Sequence, residues 1–188
     1  MKEFLAQLNA YRPGCEQEEK DLALLRRYLD TENDLFTRQN PLVHLTASAW
    51  VVNAARDKVL MCFHKIYNSW SWLGGHADGD TDLAAVALKE VREESGLSRL
   101  RLLSGDIYSL EALHVEGHIK RGEYVSSHIH MNVAYLIEAD ETEPLIIKED
   151  ENSGLRWFTL AEAETLPEEV WMRENIYRKL NRKLKAFP

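Results

Sequence analysis

The chain has 188 residues, 45% of them hydrophobic and 29% charged, a composition that fits one soluble globular domain with a real core and is too short for two ordinary ones. With 23 basic and 31 acidic residues it carries a net charge of −8, which disfavours broad binding to nucleic acid or anionic membrane and suits a small ligand that arrives with a cation. No apolar run approaches the roughly 20 residues of a membrane span, and "MKEFLAQLNAYR" lacks the apolar centre of a signal peptide, so a cytoplasmic location is expected. Cys15 and Cys62 lie far apart with no CxxC partner, and reduced thiols are expected rather than a disulfide or a metal site.

In chain order, "CEQEEKDLALLRRYLDTEN" spaces Leu22, Leu25 and Tyr28 or Leu29 as one face of an amphipathic helix. From "HLTASAWVVNA" the pattern turns to β-branched and aromatic residues; "RDK" predicts a turn and "VLMCFHKI" a returning strand. Residues 81–95 read as a helix. "LRLLSGDIYSLEALHVE" and "HIHMNVAYLIEAD" read as strands separated by the polar "GHIKRGEYVSS". "LIIKEDENSGLRWFTL" adds a strand ending at Trp157 and Phe158, and "AEAETLPEEVWMRENIYRKLNRKLKA" closes with helices broken near Pro167. Strands, helix, strands, helices in that order predict an α+β sandwich rather than a doubly wound sheet. Residues 1–40 are expected to be a helical extension packed on a domain of residues 41–188.

The central helix carries the chemistry-bearing pattern. Asp80 or Thr81 is the expected N-cap, Asp82 suits the positive helix end, and Gly96 suits the left-handed position past the C-terminus. Ala84, Ala87, Leu88 and Val91 form an apolar stripe, and Glu90, Glu93 and Glu94 fall within about a 100° arc beside it. Carboxylates that close repel one another. A solvated acidic face tolerates this in water; at the edge of a packed face, Mg²⁺ or Mn²⁺ relieves it, because hard cations take several carboxylate oxygens.

The preceding residues favour the cation. "SWLGGHADGDTDLAAVALKEVREESGL" places Gly74 and Gly75 where the chain is expected to turn sharply and bring bare backbone near a ligand. The segment resembles the box of the Nudix hydrolase family, GX5EX7REUXEEXGU, with Gly75, Glu90, Val91, Glu93, Glu94, Gly96 and Leu97 matching seven of nine specified positions; Thr81 and Lys89 depart from Glu and Arg. At roughly one Gly or Glu in fifteen residues, five such fixed matches arise by chance about once in a million windows.

The resemblance implies an α/β/α sandwich with a mixed sheet between helices, and hydrolysis of a diphosphate linkage in a nucleoside diphosphate joined to another group, using Mg²⁺ or Mn²⁺. It implies the Gly75 carbonyl and the carboxylates of Glu90, Glu93 and Glu94 as metal ligands, with Glu149, then Glu151, as an added carboxylate. Glu90, with Glu149 next, is the expected general base, and Lys89 a weaker orienter of Glu93 than Arg would be. Asp78, Asp80 or Asp82 is left to compensate for Thr81. The implied partner is a small-molecule diphosphate, chosen by loops such as 31–43, 64–72 and 114–127, with a homodimer as the assembly many relatives adopt. A silent ligand-binding module and an isopentenyl-diphosphate-isomerase-like enzyme are the alternatives, although Cys62 has no matching context for the latter.

Other motifs weigh less. "DGDTD" mimics the start of an EF-hand loop, but Leu83 and Lys89 stand where Gly and Glu are needed. His114 and His118 lack a helix on which to pair. His128 and His130 share a strand face, open either to substrate or metal or to sheet packing, and Trp70 and Trp72 either stack on a base or pack. The cations of "RENIYRKLNRKLK" are expected on a solvated helix face.

Overall fold

The computed structural model describes residues 1–120, 122–148 and 152–188. Helices α1 (Lys2–Ala10) and α2 (Glu16–Thr31) are followed by strands β1 (Val43–Val52), β2 (Lys58–His64), β3 (Ser69–Ser71) and β4 (Leu73–His76). Helix α3 (Leu83–Ser95) precedes β5 (Leu100–Leu102), β6 (Ser109–Val115), β7 (His118–Lys120), β8 (Glu123–Val125), β9 (His128–Ala139) and β10 (Asn152–Thr159). The chain closes with α4 (Leu160–Ala163), a π-helical turn (Met172–Tyr177) and α5 (Arg178–Ala186). The fold is α+β, with the sheet order β10-β2-β1-β9-β5 and β3, β4 and β6 paired to β2, β1 and β9. None of the described helices is long and apolar enough to cross a membrane.

The residues fall into two compact units, and β1, β4, α3 and β9 contribute to both. The first comprises Met1–Ser48, Gly74–Ala87 and Gly105–Tyr135. In α2, Leu22 and Leu25 are buried as the periodicity predicts. Glu18 is buried too, against the expectation that charge faces water: its carboxylate accepts from Ser109 Oγ at 2.9 Å and from the Gly14 amide at 2.7 Å. The network continues through Glu111 to Asn132, whose Oδ1 accepts from Thr46 Oγ1 (3.0 Å) and Ser48 Oγ (2.8 Å). Burial of these groups is tolerable because each is hydrogen-bonded. β6 pairs with β9 from Ser109↔Ala134 to Val115↔His128. The polar stretch expected to separate two strands forms a hairpin of its own, β7 and β8, with Gly122 at φ 86° in its turn.

The second unit comprises Ala49–Leu73, Leu88–Ser104 and Leu136–Pro188. The predicted hairpin is present, with Val52 opposite Val59. β10 pairs along β2, Leu155 opposite Cys62, with a bulge between Asn152 and Gly154 that re-aims the strand's first residue. Trp50 stacks on Tyr177 at 5.5 Å, both fully buried. Thr159 and Glu162 form a capping box that starts α4. In α5, Lys179 is 3% exposed, so the basic C-terminal segment is not the wholly solvated face expected. Cys15 and Cys62 are free thiols, and Cys62 Sγ lies 3.6 Å from the Trp72 carbonyl.

The glycine pair is a correction. Gly74 and Gly75 lie within β4 and make no sharp turn. Gly74 is needed for close approach instead: a Cβ there would sit 2.5 Å from the Ala47 carbonyl oxygen and 2.6 Å from Ser48 Cα. Gly74→Ala is therefore expected to destabilise the fold by about 1–3 kcal/mol, read as a lower urea midpoint at unchanged m-value.

Candidate active site

Local capping sets where α3 begins and ends. Asp82 is the N-cap, its Oδ1 accepting from the Ala85 amide at 3.0 Å, one or two residues later than the sequence reading placed it. Asp80 Oδ1 accepts from the Asp82 amide at 2.9 Å, and Asp78 forms a two-pronged ion pair with Arg38 at 2.8 and 2.7 Å. All three aspartates expected to stand in for the missing carboxylate at Thr81 are thus engaged locally. Gly96, at φ 73°, takes the left-handed conformation past the helix end, and a Cβ there would lie 2.7 Å from Ile146 Cβ.

Within these limits the helix grades its glutamates by exposure. Ala87, Val91 and Glu94 follow at spacings of four and three, so Glu94 continues the buried stripe and is 3% exposed. The side chain of Glu90 is 13% exposed and that of Glu93 44%. Lys89 Nζ lies 3.7 Å from Glu93 and 3.9 Å from Glu90, a point charge between two carboxylates where Arg would offer a fork. Glu94 Oε1 accepts from Asn152 Nδ2 at 3.0 Å. The Oδ1 of the same amide is buried and has no hydrogen-bond partner among the described residues.

This donor set fits a hard divalent cation. Three carboxylates stand in the last turns of α3, where the helix itself is negative and adds to their repulsion. Carboxylate oxygens are the ligands Mg²⁺ and Mn²⁺ prefer, and the orphaned amide oxygen beside Glu94 is a further neutral donor. Gly75 lies in β4, and Glu149 and Glu151 fall outside the described residues.

The tryptophans are in aromatic packing. Trp72 is 8% exposed with its ring 6.1 Å from Tyr177. Trp70 stands edge-on to Phe63 and Phe158, centroids 5.4 and 4.9 Å away, and Arg156 lies 5.8 Å over its ring, leaving Trp70 the more accessible of the two.

His128 and His130, singled out from the sequence, belong to a larger group in the first unit. Their Nε2 atoms are 3.0 Å apart, and the rings of His44 and His76 join them, His44 lying 4.9 Å from His128, 4.9 Å from His130 and 5.1 Å from His76. Sequence reasoning missed His44 and His76 because they sit on β1 and β4 with no motif spacing to the other two. Burial pushes His130 down to about 2 and His76 to about 3, and neighbouring imidazoles and cations push the same way. His44 is lowered by burial, opposed by its own Nδ1–H donating to the Asn40 carbonyl.

The model of the NUDIX domain family matches residues 42–180. A Caenorhabditis elegans Ap4A hydrolase in a binary complex is similar in structure, with TM-score 0.54 and 20% identity over 76% of this chain and 96% of that one. A NUDIX family hydrolase from Clostridium perfringens gives 0.55 and 21%, covering 77% and 98%. An ADP-ribose pyrophosphatase from Streptococcus suis gives 0.51 and 20%, covering 76% and 90%. No curated protein matches the chain.

Two outcomes are expected from this geometry. Asn152→Leu removes one amide donor from the buried Glu94 carboxylate and lowers stability by about 1–3 kcal/mol in denaturant unfolding. His76 and His130 have folded-state values below the unfolded value of about 6.5, so the unfolded chain binds more protons as pH falls beneath it. In chelator-treated buffer, stability therefore drops below pH 6.5 by roughly 1 kcal/mol per histidine per pH unit, and His130→Asn flattens that slope.

Proposed function

Because the chain belongs to the NUDIX family, we propose that it is a metal-dependent hydrolase that cleaves the diphosphate linkage of a nucleoside diphosphate joined to another moiety, by attack of water at phosphorus. The observation that carries the reading is the graded glutamate triad at the negative end of α3, with Glu94 buried and hydrogen-bonded to Asn152. Such a triad stores repulsion that a divalent cation removes, so the residues are suited to bind Mg²⁺ or Mn²⁺.

Glu94, fixed by burial and by Asn152, holds its oxygens in one place and is the least adjustable ligand. Glu93, more exposed, can swing to take or release a ligand position, and Lys89 restrains it at 3.7 Å. Glu90, between them in exposure, is our candidate general base, with Glu149 next. The carbonyl of Gly75 is the proposed backbone ligand. When bound, the cation would supply positive charge against the bridging phosphate oxygens and make water a better nucleophile at neutral pH. Trp70, under Arg156, is retained as a stacking surface for a base, and His128 and His130 as polar contacts to substrate. The relatives' names, an Ap4A hydrolase and an ADP-ribose pyrophosphatase, set the substrate classes to try first.

The test is a panel of dinucleoside polyphosphates, nucleoside diphosphate sugars, nucleoside triphosphates and coenzyme-type diphosphates, assayed with Mg²⁺ and with Mn²⁺. Turnover that chelator abolishes, and that falls roughly 10²–10⁴-fold in Glu90→Gln as removal of a general base does, is the expected result. Turnover in Glu94→Gln equal to that of the wild type would place the chemistry elsewhere. Metal binding with no turnover on the panel would instead support the silent module.

A further inference from the structure

We propose that His44, His76 and His130 form a second metal site, separate in its donor chemistry from the glutamates, that takes a borderline first-row divalent ion, zinc foremost. Each of the three imidazoles offers a ring nitrogen within 4.8 Å of one from each of the others. They come from three strands of the first unit, β1, β4 and β9, so the site is assembled by strand pairing and has no linear motif. Main-chain contacts hold the frame: the Ala77 amide donates to the Leu45 carbonyl at 3.1 Å, and the Ile129 amide to the Leu42 carbonyl at 2.9 Å.

The tautomers follow from what each partner can do. The Asn40 carbonyl only accepts, so His44 Nδ1, 3.1 Å away, is the donor and the lone pair of the neutral ring is on Nε2. Asn40 is itself fixed, its side-chain oxygen accepting from the Leu42 and Val43 amides at 3.0 and 3.1 Å. That Nε2 is buried without a partner among the described residues, in a side chain only 5% exposed. The Ser126 carbonyl likewise makes His128 Nδ1 a donor at 2.8 Å, which leaves His128 Nε2 an acceptor. His130 Nε2, 3.0 Å from it, must then donate, and its Nδ1 carries the lone pair.

Two of the three rings thus already show what metal-bound histidines show: one nitrogen donating outward, the other left free to ligate. His128 is the outer partner that orients His130. A buried acceptor with no donor costs roughly 1–3 kcal/mol, which a bound ion recovers. Zinc bound at about 2.0–2.1 Å in tetrahedral geometry needs nitrogens ~3.3 Å apart, a closure reached by small rotations of the rings. Three neutral imidazoles leave a fourth position for water, and His76 and His130 are only half-buried, so water has access. An all-nitrogen set selects against Mg²⁺. The ion would tie β1 to β4 and β9 and stiffen the strand that carries Gly75.

The experiment uses the full, untagged chain stripped with chelator and desalted, then dialysed against zinc in excess Mg²⁺. One equivalent of zinc bound is expected, with a higher Tm and, for Co²⁺ as probe, the visible absorption of tetrahedral nitrogen coordination. His76→Gln and His130→Gln should lose zinc by more than the 10–100-fold expected for His128→Gln, which removes only the outer partner. Glu93→Gln should bind zinc as the wild type does. Zinc retained in the His76 and His130 variants, zinc lost in Glu93→Gln, or no stoichiometric binding and no Co²⁺ spectrum in the wild type would each overturn the proposal. The last readout needs no variant, so a misfolded substitution does not leave the question open, and none of these readouts depends on hydrolysis.

Discussion

A buried carboxylate governs how the last turns of α3 are set in the second unit. Burying a carboxyl such as Glu94 costs several kcal/mol unless it is paired or hydrogen-bonded, and part of the compensation here comes from the first residue of β10. That residue is aimed by the bulge between Asn152 and Gly154, so strand register and helix register are coupled through one 3.0 Å hydrogen bond. A slip of one residue along α3 would turn Glu94 by about 100° and bring a different side chain under Asn152. The caps oppose such a slip: Asp82 fixes the start, and Gly96, with Ile146 where a Cβ would lie, makes the left-handed exit.

The same registration sorts three chemically identical side chains into different environments. Glu94 is buried, Glu90 nearly so, and Glu93 exposed beside Lys89. A single face of like charge becomes a buried carboxylate, a half-buried one and an exposed one, without any change of residue type. The departures from the Nudix pattern fall on its periphery. Lys89 keeps the positive charge at 3.7–3.9 Å but restrains its glutamates through one nitrogen rather than a planar fork. Thr81 removes an outer carboxylate, and the nearby aspartates are engaged locally, Asp80 and Asp82 in capping and Asp78 with Arg38.

What the sequence makes legible is local. The β1–β2 hairpin, the helix with its glutamates, the left-handed glycine and the strand through Trp157 and Phe158 all follow from period, turn residues and caps within a window of about twenty residues. What it hides depends on partners distant in the chain. Glu18 reads as a solvated charge until Ser109 is brought to it, and Lys179 as one cation among several. Gly74 reads as a turn until Ala47 proves to lie against it. The N-cap fell to Asp82 because Asp80 was occupied in turning the chain toward it, a choice among three adjacent acceptors that propensity does not decide.

The histidine group is the extreme case, since its members stand at positions 44, 76, 128 and 130 and only strand pairing makes them neighbours. Packing four imidazoles together is costly if any is charged, and burial settles that by holding His76 and His130 neutral. Neutral rings still need donors for their lone pairs, and backbone carbonyls supply none. Asn40 and Ser126 take the N–H groups of His44 and His128, which leaves the lone pair of each neutral ring on its Nε2. Carboxylates on one helix and imidazoles across three strands therefore present ions with two different tests: oxygen ligands hold the hard cations of phosphate chemistry, and nitrogen ligands hold the borderline ones. Zinc held by the imidazoles would then not have to compete with a hard cation at the glutamates.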